Sequence, residues 1–172
     1  MDVLDPLNQS LVQHLRLIAK QQLGFERGSL SLCASDLVNE AWIVLHRQRN
    51  LNPKEKPRFL AAGAIAIRRI LIDYARKKAA LKRGGKNKKI MLRSYDGAYA
   101  IEDRVREIDI LALDEALEKL SKINERACQV VVQRFFGGMH NEEIARELNI
   151  SQRAVVSDWT FARSWLSREL SK

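Results

Sequence analysis

The chain has 172 residues, 46% of them apolar, with 30 lysines and arginines against 21 acids and a net charge of +9. That apolar share excludes wholesale disorder, the length fits one large domain or two small ones, and the charge points to a polyanionic partner, nucleic acid or an anionic membrane surface. No apolar run approaches the roughly 18 residues that span a bilayer, MDVLDPLNQS carries acids where a secretory leader carries lysines, and Cys33 and Cys128 lie too far apart for a CxxC zinc site or a disulfide framework, so a reducing cytoplasm is expected.

The elements expected along the chain are helical. Leu7–Gln22 places Leu7, Leu11, Leu15 and Ile18 on one stripe. Ser35 is the expected N-cap of a helix over Asp36–Leu45, with Asp36 as the acid of its first turn. Pro53 and Pro57 punctuate the next connection, and an alanine-rich helix runs from Phe59 to Lys82, stopped by Gly84-Gly85. Residues 85–108 are polar and aperiodic, the expected linker. Ile110–Leu120, Glu125–Phe136, Asn141–Leu148 and Gln152–Leu170 follow as shorter helices, the second ended by Gly137-Gly138. No stretch alternates as a strand does. The expected fold is all-α: helical domains over 1–84 and 109–172 joined by a flexible linker over 85–108, the second a helix-turn-helix.

Charge is distributed unevenly. Met1–Ile90 carries 18 basic and 7 acidic residues, net +11, whereas Met91–Lys172 carries 12 and 14, net −2. Arg76–Lys89 holds eight cations and no acid, and it continues a helix already bearing Arg68 and Arg69. A solvated lysine-rich helix end would have the same composition. The single sign and the continuity favour a phosphate-contacting surface.

The last two helices carry the sharpest pattern. Ile144, Ala145 and Leu148 would face inward, Asn149 tolerates the left-handed conformation that a tight turn needs, and Ser151 can cap the next helix. Val155, Trp159, Ala162, Leu166 and Leu170 then form a stripe to bury. This is helix-turn-helix grammar, in which the second helix offers its first residues to the major groove. An ordinary helical hairpin would need the same core but not the same turn and cap.

Four stretches, taken together, resemble the extracytoplasmic-function sigma factors, the smallest members of the bacterial sigma-70 family, and most nearly the branch abundant in planctomycetes. They are Asp36–Trp42, Arg68–Arg76, Lys82–Gly85, and Arg134–Gly138 continuing through Asp158-Trp159 and Ala162-Arg163. The likeness runs in order over nearly the whole chain. It implies a non-enzymatic protein without cofactor or metal that binds core RNA polymerase and directs it to promoter DNA. The first domain would bind the clamp helices of one large subunit and read the minus-ten element. The second would bind the flap of the other large subunit and read the minus-thirty-five element. An anti-sigma factor is a further partner such proteins have, and no membrane insertion is implied.

By this resemblance the polymerase contact maps to Asp36, Asn39, Glu40 and Ile43, three polar groups beside an apolar anchor. Without it, Asp36 would read as a helix-dipole partner and Glu40 as a solvated acid. The minus-ten reader maps to Arg68, Arg69, Asp73, Arg76, Lys77, Lys78, Lys82 and Arg83, with Phe59 and Tyr74 the only nearby aromatics, either of which could equally be core. Asp73 could instead orient Arg69 or Arg76. The minus-thirty-five reader maps to Gln152, Arg153, Val156, Ser157 and Thr160. Here the chain departs from that branch, where threonine, lysine and arginine usually stand in place of Ala154, Val156 and Ser157. Losing two cations removes phosphate anchoring. His140 likewise stands where a threonine cap is usual.

Two other classes compete. A stand-alone helix-turn-helix regulator would need a ligand or dimerisation domain, which the basic first half does not resemble. A nucleic-acid-processing enzyme would need clustered acids for a metal, and Asp36, Glu40 and Asp73 are the only candidates. His14, His46 and His140 are isolated, and Gly84-Gly85-Lys86 lacks the rest of a phosphate loop. Met139, Trp42, Trp159 and Trp165 read as core.

Overall fold

The computed structural model describes residues 12–13, 16, 34–48, 51–52, 54–81, 89–92 and 106–171. Of the helix expected over Leu7–Gln22, only Val12, Gln13 and Arg16 are among them; these are helical, and Val12 packs on the core. The described helices are α1 (Ala34–His46), α2 (Lys56–Leu81), α3 (Ile110–Ile123), α4 (Glu125–Phe135), α5 (Asn141–Leu148) and α6 (Gln152–Glu169).

Among the described residues the fold is all-helical apart from one ribbon, which lies in the expected linker and ends one residue beyond it, at Asp109. Strands β1 (Lys89–Leu92) and β2 (Arg106–Asp109) pair antiparallel, with Lys89 opposite Asp109 and Leu92 opposite Arg106. Strands of four residues give the sequence too short a window to reveal alternation, which is why this ribbon was not expected. The other residues of 85–108, and the expected stop at Gly84-Gly85, lie outside the described residues.

Two helix starts also differ from expectation. α1 begins at Ala34, so Ser35 stands in its first turn rather than capping it. α2 begins at Lys56 rather than Phe59. Pro57 therefore falls inside the first turn, where its missing N–H would have had no helical acceptor, and its fixed φ suits a helix start. The Glu55 carbonyl accepts from the Phe59 N–H at 3.0 Å, and the Asn52 side chain accepts from the Lys54 N–H at 3.0 Å, settling the entry to α2.

The core is built around α2, which packs against α1 on one side and against α3, α4 and α5 on the other. Leu37, Val38, Ala41 and Leu45 of α1 meet Phe59, Leu60, Ala64, Ile67 and Leu71 of α2. Ile110, Leu113, Leu117 and Leu120 of α3 extend the same apolar mass toward Val130, Val131 and Phe136. Each fully buried leucine, isoleucine or phenylalanine in this set contributes about 1.5–3 kcal/mol of transfer free energy.

Small residues set how closely the chain after the ribbon approaches α2. A Cβ added at Gly137 would lie 2.4 Å from the Gln133 carbonyl oxygen and 3.0 Å from the Ala64 Cβ, so only glycine fits between α4 and α2. Gly138, with φ 57°, takes the left-handed turn that ends α4.

Candidate polymerase and promoter interfaces

The helix-turn-helix forms as its sequence dictates. The Glu143 carboxylate accepts from the His140 N–H at 3.0 Å, supplying one half of a capping box at the start of α5. Asn149 sits at φ 54°, ψ 47°, the left-handed conformation expected of it, and its N–H closes the last turn of α5. The Ser151 hydroxyl accepts from the Ala154 N–H at 3.2 Å and starts α6. Ile144, Ala145, Val155, Ala162 and Leu166 are buried, while Leu148, Trp159 and Leu170 are half-buried against them.

Two polar fastenings fix α6 against its supports. Arg126 of α4 donates from Nε and Nη2 to both oxygens of Asp158, at 2.6 and 3.1 Å. The Arg134 guanidinium lies 4.7 Å from the centroid of the Trp159 ring and donates to the Asn141 side-chain Oδ1, so it touches both helices of the motif. Neither Asp158 nor Arg126 stood out as a site residue in the sequence. Asp158 had a signal, since it falls on the apolar stripe between Val155 and Ala162.

The face of α6 away from this core carries Gln152, Arg153, Val156, Ser157 and Thr160, all exposed. Val156 is 46% exposed, an apolar side chain in the middle of a polar surface. The Thr160 hydroxyl donates to the Val156 carbonyl at 2.8 Å, leaving its oxygen as an acceptor toward solvent. Arg153 is the one cation of these five positions.

On α1, Asp36, Asn39 and Glu40 are exposed and Ile43 is 49% exposed, opposite the buried Leu37, Val38, Ala41 and Leu45. A large apolar side chain thus stands in water beside two exposed acids and an exposed amide. Trp42 packs at the edge of this helix on Phe59, ring centroids 5.9 Å apart. Phe59 itself is buried, which removes it as a stacking surface for a base.

Along α2, Arg69, Asp73, Arg76 and Lys77 are exposed on the surface. Lys78 is helical, but its side chain lies outside the described residues, as do Lys82 and Arg83 altogether. Arg68 has a different environment. Its Nε and Nη2 both donate to Asp114 Oδ1 of α3, at 2.9 and 2.6 Å, and Arg76 Nη2 lies 3.7 Å from Asp114 Oδ2. The Asp114 side chain is 8% exposed. Sequence reading missed this acid because it sits at the edge of the α3 apolar stripe and its partners are 46 and 38 positions earlier.

Cys128 is buried, its thiol donating to the Leu117 carbonyl at 3.4 Å, and burial pushes the thiol above its ordinary range. Among the described residues no group of three or more His, Cys, Asp or Glu gathers as a metal site requires. Asp36 and Glu40 stand on α1 and Asp73 on α2.

The ECF sigma factor family matches residues 2–172, nearly the full length, and its span includes both the α1 face and the helix-turn-helix. The chain belongs to the ECF sigma factor family. This sigma factor is a protein of transcription initiation, acting with RNA polymerase at promoter DNA. No curated protein matches it. Among solved structures it is similar to the chain in a co-crystal structure of the sigma factor RpoE with the anti-sigma factor NepR from Bartonella quintana, at 16% identity and a TM-score of 0.39, covering 95% of this chain and 93% of that one. No described helix of this sigma factor is long and apolar enough to cross a membrane.

Proposed function

We propose that this sigma factor divides its work between residues 1–84, which bind core polymerase and the minus-ten element, and residues 109–172, which bind the minus-thirty-five element. The observation that carries the reading is the exposed α1 face of Asp36, Asn39, Glu40 and Ile43. Exposing a large apolar side chain there has no folding benefit, whereas docking on a polymerase helix would bury Ile43 and pair the acids with cations at its rim.

Promoter contact follows from the cationic side of α2. Arg69, Arg76, Lys77, Lys78 and, beyond the described residues, Lys82 and Arg83 supply phosphate anchors, with Arg68 as a further guanidinium. Phe59 is core, so strand separation would rest on capture of an unstacked base and on backbone contacts rather than on a phenylalanine wedge. The α6 face, with Arg153, Gln152, Ser157 and Thr160 for polar contacts and Val156 for an apolar one, reads the second element. The protein performs no catalysis of its own, acts in the cytoplasm and can be held by an anti-sigma factor.

In vitro transcription with core polymerase on fragments of the source genome, with transcript 5′ ends mapped, tests the assignment. The wild-type chain is expected to give discrete starts absent with core alone. Asp36→Ala/Glu40→Ala should abolish them by loss of polymerase binding. Arg69→Ala/Lys77→Ala should abolish them while polymerase binding persists. Discrete starts that survive both double substitutions would refute it.

A further inference from the structure

Asp114 lies where the promoter-contacting cations and the helix-turn-helix half of the chain meet. Arg68 places two N–H groups on one of its oxygens, at 2.9 and 2.6 Å, and Arg76 approaches the other at 3.7 Å. Two guanidinia around one anion is the arrangement with which arginines hold a phosphate. The anion here is supplied by α3, and the pair is largely closed to water, Asp114 at 8% and Arg68 at 21% side-chain exposure.

A second ion pair closes the same junction at the other end of α2, where Lys56 Nζ lies 2.8 Å from Glu143 Oε1 of α5. Between the two, Gly137 rests against Ala64. In both pairs the cation comes from α2 and the acid from the chain after the ribbon. The net charges of +11 and −2 for the two halves have the same polarity. While these contacts hold, Arg68 is unavailable to DNA and Arg76 is partly neutralised, whereas the exposed α6 face stays open.

We propose that Asp114 is an internal stand-in for promoter phosphate: it occupies Arg68 and Arg76 in the free chain, clasps the helix-turn-helix half onto α2, and is displaced when DNA is engaged. The inference rests on the promoter-contact reading of α2. It makes the closed chain a weaker DNA binder than the open one, because a buried carboxylate already satisfies Arg68 and partly neutralises the 64%-exposed Arg76, while Arg69 and Lys77 stay exposed.

The test uses the full chain and Asp114→Asn, which keeps the side-chain shape and removes the charge. Both are titrated with a short fluorescent duplex of arbitrary sequence at several salt concentrations, and separately with core RNA polymerase. Freed guanidinia should tighten DNA binding by Asp114→Asn and steepen its log–log salt dependence by about 1–2, at about 0.9 per added phosphate contact. Adding Arg68→Ala to that variant should cancel the gain. Equal DNA affinity and slope in the two proteins, with polymerase still bound, would overturn the clasp and leave the sigma reading standing. Loss of polymerase binding by the wild-type chain would overturn both.

A measurement on the unaltered protein guards against misfolding of the variant. Carbodiimide should join Lys56 to Glu143 by a zero-length amide in the free chain, read by peptide mass spectrometry. Duplex DNA should lower the yield several-fold. A yield that DNA leaves unchanged would overturn the proposal.

Discussion

The Arg126–Asp158 pair gives a sharp energetic asymmetry, because its two members differ in exposure. Arg126 is 52% exposed by side chain and Asp158 only 8%. Asp158→Ala removes a charge-assisted pair of hydrogen bonds, ordinarily about 1.5–3 kcal/mol, but the guanidinium left behind already reaches water and rehydrates. Its expected cost is therefore about 1.5–2 kcal/mol, at the low end of that range. Arg126→Ala leaves the buried Asp158 carboxylate without its cation and should therefore cost more than Asp158→Ala. The double variant should cost much less than the sum of the two singles, since the stranded charge is gone. Urea denaturation followed by far-ultraviolet circular dichroism measures all three. Finding Asp158→Ala as costly as Arg126→Ala, or costlier, would refute the reasoning that burial of the survivor sets the penalty.

Three further outcomes are expected. Asn149→Val should destabilise the chain by about 1–2 kcal/mol, because a β-branched residue is strained at φ 54°, while Asn149→Gly should be close to neutral; equal melting temperatures for the two would contradict this. Burial pushes the Glu147 carboxyl above its ordinary range, with Arg58 opposing and Glu55 reinforcing the shift. The folded form then holds this proton more tightly than the unfolded chain, so stability is lost as pH rises from the ordinary carboxyl value through the raised one. Glu147→Gln should accordingly melt above wild type at neutral pH and together with it in acid, and a lower melting temperature at neutral pH would reverse the sign. Val156→Lys should restore a phosphate anchor on α6 and steepen the salt dependence of duplex binding by about 0.9, and an unchanged slope would remove α6 from the DNA interface.

The helix-turn-helix was legible because its determinants are local. Asn149, Ser151 and the stripe from Val155 to Leu170 each state their role within a few residues, and the structure places them as that pattern requires. Asp36, Asn39, Glu40 and Ile43 were singled out by the family resemblance, their spacing alone saying only that they share a helix face. Asp114 was not, because an acid beside an apolar stripe looks solvated until Arg68, 46 residues earlier, is folded against it. The same limit hid Lys56–Glu143. Pro57 misled for a different reason: proline ends helices and also starts them, and only the position of Lys56 distinguishes the two. The ribbon of β1 and β2 is defined by register between segments 14 positions apart, which no single-window pattern carries.

Binding to bacterial core RNA polymerase, measured by interferometry on the purified full chain with Asp36→Ala/Glu40→Ala alongside, tests the central claim most directly. The account predicts tight binding that the double substitution abolishes while the protein stays folded. Salt-sensitive binding to duplex DNA with no binding to polymerase would contradict it and leave a stand-alone helix-turn-helix regulator.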